Sequence, residues 1–439
     1  LTFALALVLV FTAFTGFSAF GYASLKKSVT QTAPLLYANL AQAKDALANL
    51  ETAKARDSLS AIAGQVEAVH EDAQKYGLLA LAKLFSAAAP KLKAIPDAFA
   101  AAIDITKTAV QAAAELDDLK SNAFAYLMTG RGTVLTNRLS SLSQHVSRLA
   151  SLSNALQEQS GVLGSQSFPI DALGAQVDLL KAERFLATLT GWLTTDATKH
   201  FLVLFQNPSE MRPAGGFLGS YADIALTREG ISGITVWDIY DPDGQLDIDI
   251  IPPKPLQLLT TRWGARDANW FFDFPTSAKK VTDLLEASKI YREQNIRFDG
   301  VAAINVAVLK TMLEVAGPVE LPEYRLTVTP ENFLAAIQRE VESGADNRAG
   351  EPKRILKKLA PVLIERLGQL TEESRRALLA GLKTHTENKD IMLFFKDAEL
   401  ESYLTDLNVS GAVKKLPLNF SGDYLAVVTL GFGEIIQDS

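Results

Sequence analysis

The sequence contains no cysteine. Disulfides, zinc–thiolate sites, iron–sulfur clusters and cysteine nucleophiles are thereby excluded. Histidine is scarce too: His70, His145, His200 and His385 lie far apart, with no metal-ligand spacing among them. Positive charge falls short of negative, with 43 Lys and Arg against 50 Asp and Glu, a net charge of -7. No basic excess is left to neutralise phosphates, which argues against a nucleic-acid partner. The Walker and Rossmann glycine patterns are missing. Gly219-Ser220 lacks the G-x-S-x-G context of a hydrolase elbow.

At 439 residues, 48% of them hydrophobic, the chain exceeds one ordinary core and is expected to form two or three domains. The run from Leu1 to Ser24 contains no charged side chain. As a helix it would reach about 36 Å, enough for the hydrocarbon of a bilayer. A transmembrane helix over residues 1–25 is therefore expected, ending at Lys26 and Lys27, with the lipid bilayer as partner of residues 1–24. A signal peptide would have a shorter apolar core and a better small-residue cleavage site than Ala19 to Ala23. A buried core helix would show a polar face. The chain opens on Leu1 rather than Met, so residues upstream are expected. The two lysines alone favour a cytoplasmic C-terminal side; a more basic upstream segment would reverse that.

From about Thr32 to Leu163 good helix formers dominate. Leu59, Ile62, Val66, Val69, Ala73 and Tyr76 alternate steps of three and four, as do Leu135, Leu139, Leu142, Val146, Leu149, Ser153 and Leu156. That spacing is the seam of a coiled coil or bundle. Pro90 and Pro96, then Gly130-Arg131-Gly132, then Ser165 to Pro169 divide the stretch, and a fourth helix is expected from Ile170 to about Leu193. Residues 26–195 thus read as a long antiparallel helical bundle, serving either as a spacer or as a sensor or interaction stalk.

The pattern changes at Lys199. Strands are expected at His200–Gln206, Tyr221–Leu226, Ile231–Tyr240, Gly300–Ile304, Ile391–Phe395 and Tyr424–Leu430. Helices are expected over Thr276–Ser288, up to Ala316, from Thr329-Pro330 and over about Lys353–Lys383. Residues 196–439 therefore form the third region, a sheet covered by helices, and the whole chain reads as α+β.

The segment FLVLFQNPSEMRPAGGFLGSYADI, Phe201 to Ile224, resembles the signature of the bacterial family called domain of unknown function 4012. DIYDPDG (Asp238–Gly244), RDANWFFDFPTSA (Arg266–Ala278), FDGVAAINVAVLKTMLEVAGPVEL (Phe298–Leu321), LTVTPENF (Leu326–Phe333), KDIMLFFKDAELESYL (Lys389–Leu404) and GDYLAVV (Gly422–Val428) resemble it further and in order. The resemblance covers roughly Lys199 to Val428. It implies a single-pass cell-membrane protein with its bulk outside the cytoplasm. That family is more distantly similar to the LytR-CpsA-Psr phosphotransferases, which attach polyprenyl-pyrophosphate-linked polymers to the cell wall. The likeness implies an α/β/α sandwich, with envelope glycopolymer or polyprenyl pyrophosphate as partner. The Ser-Ile-Pro-Arg-Asp run that supplies their pyrophosphate-binding arginine is absent.

Three groups of residues carry candidate chemistry. Arg212 beside Gly215 and Gly216 can grip a phosphate, helped by glycine N–H groups; equally, the glycines permit a turn that Glu210 and Arg212 pin. Asp238, Asp241 and Asp243, with Asp247 and Asp249 beyond, offer oxygens to Mg²⁺, although the EF-hand spacing fails; a solvated acidic loop turning at Asp243-Gly244 is the alternative. Arg266, Asp267 and Trp270 lie among Trp263, Phe271, Phe272 and Asp273. That mixture suits a cleft for a sugar or an isoprenoid chain, or a capped loop whose aromatics fill the core. Two functions remain open: a binding or assembly protein of the cell envelope, and a divergent phosphotransferase using Arg212, Asp238 and Arg266. The second requires Arg212 and Arg266 to converge.

Overall fold

A computed structural model describes residues 19–84, 86–87, 92–163, 172–343 and 354–414. The chain divides into two compact units, residues 1–123 with 134–191, and residues 124–133 with 192–439.

The first unit is helical. Its elements are α1 (Ala19–Ala48), α2 (Thr52–Lys75), α3 (Leu78–Leu84), most of α4 (Ala94–Met128), most of α5 (Gly132–Leu163) and most of α6 (Ala172–Thr194). On α2 the buried residues Thr52, Ala55, Leu59, Ile62, Val66, Val69 and Ala73 recur at steps of three and four, so one stripe faces the core. Leu36 and Ala43 of α1 and Ile95, Phe99, Ala102 and Ile105 of α4 complete that core. Each fully buried Ile or Phe contributes about 1.5–3 kcal/mol. Pro96 sits in the first turn of α4, where a missing N–H costs nothing, so it opens a helix rather than ending one.

The expectation of an N-terminal transmembrane helix is overturned here. Among the described residues no helix is long and apolar enough to cross a membrane. The described part of the expected span, from Ala19, belongs to a 30-residue helix that carries Lys26, Lys27, Lys44 and Asp45. That helix buries Leu36 and Ala43 in protein rather than in lipid. Freedom from charge over a short window marked apolar character but not what the helix packs against. The single-pass membrane location is corrected on the same finding; residues 1–18, most of the stretch expected to meet the bilayer, lie outside the described residues.

The second unit is mixed α/β. It contains β1 (Lys199–Asn207), β2 (Phe217–Thr227), β3 (Gly230–Asp238), the short α7 (Tyr240–Gly244), α8 (Phe274–Ala287), α9 (Lys289–Arg292), β4 (Phe298–Asn305), α10 (Val306–Ala316), β5 (Val319–Leu321), β6 (Leu326–Val328), α11 (Phe333–Ser343), α12 (Arg354–Gly368), α13 (Glu372–Glu387), β7 (Ile391–Phe395) and α14 (Ala398–Asp406). The strand expected at Tyr424–Leu430 lies outside the described residues. Five strands form a sheet in the order β3-β2-β1-β4-β7, and β5 pairs with β6 separately. The central β1–β4 pair is parallel; β1–β2, β2–β3 and β4–β7 are antiparallel. Leu202 and Leu204 of β1, Val301 and Ala303 of β4, and Met392 and Phe394 of β7 share one buried cluster with Phe274, Ala278, Val281 and Leu285 of α8. That alternation is the period-two signature of a strand with one face in a core.

Helix α8 starts where the Asp273 side chain accepts from Thr276 N–H, with Pro275 in the first turn. Helix α10 starts where Asn305 accepts from Ala307 N–H and ends at Gly317, φ +75°. After Thr329-Pro330 a turn intervenes, closed by Asn332 Oδ1 on Thr329 N–H, so α11 begins later than the Pro alone suggests. The carboxyl ends of β1 and β4 lie side by side, Gln206 opposite Asn305. The start of β2 and the end of β3 share that edge.

Candidate functional site

At this edge the loop of residues 208–216 folds back over the end of β1. Gln206 is buried and donates to Ala214 O (2.7 Å). Gly215 takes φ +108°, and a Cβ there would lie 2.6 Å from Gln206 Oε1. Gly216 takes φ +149°, and a Cβ would lie 2.5 Å from Asn207 O. Both glycines are thus demanded by backbone conformation and close approach. Some amides are occupied at the turn itself: Ser209 N–H donates to Asn207 Oδ1, Glu210 N–H to Asn207 O, Gly215 N–H to Arg212 O and Phe217 N–H to Glu210 O. Asn269, fully buried, clamps the loop from outside by donating to Ala214 O (3.2 Å) and Gly216 O (2.7 Å).

Arg212 and Arg266 converge. Arg212 is 9% exposed. Its Nη2 lies 3.8 Å from Asp267 Oδ1, and its guanidinium stands 5.1 Å from the Phe217 ring. Arg266 Nε lies 3.3 Å from Asp267 Oδ2 and its Nη1 3.0 Å from Asp243 Oδ2. Asp243 also accepts from Ala265 N–H (2.6 Å) and Arg266 N–H (3.3 Å). Gly264 allows this, since a Cβ there would fall 2.3 Å from Asp243 Oδ2. Two guanidiniums and two carboxylates therefore balance within one braced cluster. Burial pushes the Asp243 carboxyl up, opposed by Ala265 N–H and by Arg266. Burial likewise pushes Asp267 up, opposed by Arg266 and Arg212. In both, loss of water outweighs the neighbouring cations. Above the cluster the Tyr240 ring, 53% exposed, lies 5.4 Å from the Arg266 guanidinium.

The acidic residues that the sequence grouped do not act together. Asp238 is buried and its Oδ1 accepts from Tyr240 N–H (3.1 Å). Asp241 lies in the first turn of α7. Asp243 turns to Arg266 and the Gly264 loop. Asp247 pairs with Arg292 and Asp249 with Arg262. Among the described residues no three acidic or histidine side chains are placed to hold a metal ion, so this donor set does not fit Mg²⁺. Trp270 is half-buried, Trp263 is buried with its Nε1–H on Asp267 O, and Phe272 is exposed. Sequence reasoning passed over Asn269, Gly264 and Tyr240, whose roles depend on partners distant in the chain.

A second polar chain runs close by. Asn305 Nδ2 donates to Asp390 Oδ1 (2.5 Å), Asp390 Oδ2 meets His385 Nδ1 (2.8 Å), and His385 Nε2 meets Thr311 Oγ1 (2.9 Å). The order carboxylate, imidazole, hydroxyl matches a nucleophile relay. Thr311, however, lies in the middle of α10 with its methyl against Gly381 of α13, where a Cβ would come within 2.7 Å. The chain ties α10 and α13 to the β4–β7 junction, and a helix surface rather than a substrate faces the hydroxyl.

Residues 196–341 match the model of a family described as "Protein of unknown function (DUF4012)", which supports that family for this part of the chain. No curated protein and no solved structure matches the chain.

Proposed function

We propose that the α/β unit is a binding module for a glycopolymer of the cell envelope, working without catalysis, and that the Tyr240 face is where the polymer lies. The observation that carries this reading is the charge-balanced Arg212–Asp267–Arg266–Asp243 cluster beneath an exposed tyrosine ring. A sugar needs an aromatic platform for its C–H face and planar, fixed donors and acceptors for its hydroxyls. Tyr240 supplies the first, and the accessible edge of Arg266, held in place by the buried Asp267, supplies fixed donors for the second. A cluster whose cations already hold anions has little spare charge for a pyrophosphate.

The test is calorimetric titration of the chain with soluble fragments of cell-wall polysaccharide. Tyr240→Ala should weaken binding at least about tenfold, the ~1.4 kcal/mol scale of one aromatic contact, while leaving the unfolding midpoint unchanged. Equal affinity in the variant, or no binding by the parent chain, refutes the reading.

The alternative, a divergent LytR-CpsA-Psr-like phosphotransferase, draws support from one observation: both guanidiniums reach the same carboxylate, Asp267. A pyrophosphate would have to replace that carboxylate as their shared anion. Release of polyprenyl phosphate from a polyprenyl-pyrophosphate-linked glycan, abolished by Arg266→Met, would favour it over the binding module.

A further inference from the structure

Among the described residues β7 is an edge strand of the sheet, and the segment after α14 covers its outer side. Leu393 N–H donates outward to Val409 O (3.2 Å), and Phe395 N–H donates outward to Glu401 Oε2 (2.9 Å). An exposed edge with free N–H groups is an invitation to another strand, so something must cover it. The cover is held at four further points. Lys389 Nζ donates to Asn408 O, Phe274 N–H to Gly411 O (3.2 Å), Val413 N–H to Asp273 Oδ1 (2.9 Å), and Ser410 Oγ meets Thr405 Oγ1 (3.0 Å). Gly411, at φ +64°, lets the backbone close on β7, where a Cβ would come within 2.5 Å of Met392 Sδ.

Two acids bracket this cover. Glu401 of α14 holds the edge strand, and Asp273 holds the far end of the cover while capping α8 through Thr276 N–H. Glu401 Oε1 is buried, with the Thr405 hydroxyl as its neighbour on the same helix. Its carboxyl is pushed up to about 7, chiefly by burial; Phe395 N–H opposes the rise, Asp273 adds to it, and Thr405 eases it slightly. Asp273 is the charged group that faces Glu401 from the α8 side. β7 contributes the Phe395 N–H, α14 the Thr405 hydroxyl, and residues 408–413 carry no titratable side chain. Lys389 binds Asn408 O and, with Lys414, forms a separate basic pair, in which burial and Lys414 lower the Lys389 ammonium.

We propose that residues 408–413 are a pH-sensitive latch over the outer edge of β7, closed while Glu401 is protonated and opened as its carboxylate forms beside Asp273. A half-buried carboxylate is stabilised by moving fully into water, and the movement that takes it there withdraws the acceptor from Phe395 N–H and loosens Val409 from Leu393. What opens is a pair of strand-edge donors. The latch is independent of the Tyr240 face.

Hydrogen exchange of the full chain at pH 6 and pH 8.5, expressed as protection factors, reads the latch directly. For a carboxyl moved from 4.5 to about 7, linkage lowers protection at Leu393, Phe395 and Val413 about tenfold between those pH values. These amides should exchange well before those in the middle of β1. Glu401→Gln keeps the acceptor and removes the charge, so its protection should be the same at both pH values. Asp273→Asn removes the repulsion but leaves one oxygen for the N–H groups of Thr276 and Val413, so the fall is read at Leu393 and Phe395, where it should shrink; it serves if the first variant does not fold. Protection in the parent chain that ignores pH, an unchanged fall in both variants, or exchange of the edge only together with β1 would overturn the latch.

Discussion

Replacing Gly216 with alanine separates the two roles a glycine turn can have. If the turn exists to present N–H groups to a phosphate, an added methyl matters only when ligand arrives. If it exists to let the loop close over β1, the methyl matters in the free protein. At φ +149° an L-residue is strained, and the new Cβ would meet Asn207 O at 2.5 Å. Strained backbone costs about 1–3 kcal/mol, and forcing an extra carbon into a packed site costs a further ~1–3 kcal/mol. That oxygen is main chain within β1, so relief requires the strand end or the clamp at Asn269 to move. Urea unfolding followed by tryptophan emission is the assay, because Trp192, Trp237, Trp263 and Trp270 all lie in the second unit. With urea m-values of roughly 1–3 kcal/mol/M, the midpoint should fall by about 1–2 M. Gly244→Ala is the control, since a Cβ there meets nothing within 4 Å. An unchanged midpoint for Gly216→Ala would refute the packing argument and return the turn to the ligand.

Two further substitutions test buried pairs. Tyr291→Phe strips the hydroxyl that bonds Tyr221 at 2.9 Å in a fully buried site; the orphaned Tyr221 hydroxyl should cost about 1–3 kcal/mol in the same unfolding assay, and no loss would mean that water enters there. His200 Nδ1 lies 2.8 Å from Asp223, whose hydrogen bond raises the imidazole above its ordinary 6.5. The folded state then binds the proton more tightly than the unfolded one. The extra stability is therefore full below about 6.5 and is lost as pH climbs through the raised native value. Thermal midpoints of His200→Asn should lack this decline, and a parallel curve would disprove the pairing.

Local pattern made most of the sheet legible. The run His200–Gln206 announced β1, and Ile391–Phe395 announced β7, because β-rich apolar runs bounded by turn residues need no partner to be recognised. The glycines at 215 and 216 likewise signalled a turn. The cluster beside them was half legible: Arg212, Arg266 and Asp267 were singled out, but not their mutual pairing, which joins residues 55 positions apart only through tertiary structure. Asp243 was placed with Asp238 and Asp241 because they are neighbours in sequence, whereas its partner, Arg266, is 23 positions away. Glu401 carried no signal at all, since its burial depends on β7 and on Asp273 together. The N-terminal error was of another kind. Absence of charge does not foretell what a helix packs against, and the described helix from Ala19 sets Leu36 and Ala43 in the protein core.

The parallel pairing of β1 with β4 bears on how the protein is made. The two central strands are not chain neighbours: His200 sits beside Phe298 and Gln206 beside Asn305. On the ribosome β1 emerges long before β4, and the hairpin with β2 and β3 can form at once while the other flank of β1 stays bare. Closure of so distant a pair is slow compared with hairpin or helix formation. A nascent chain paused before residue 298 therefore displays an unfinished apolar strand, and aggregation during synthesis should be worst for stalls between residues 240 and 298.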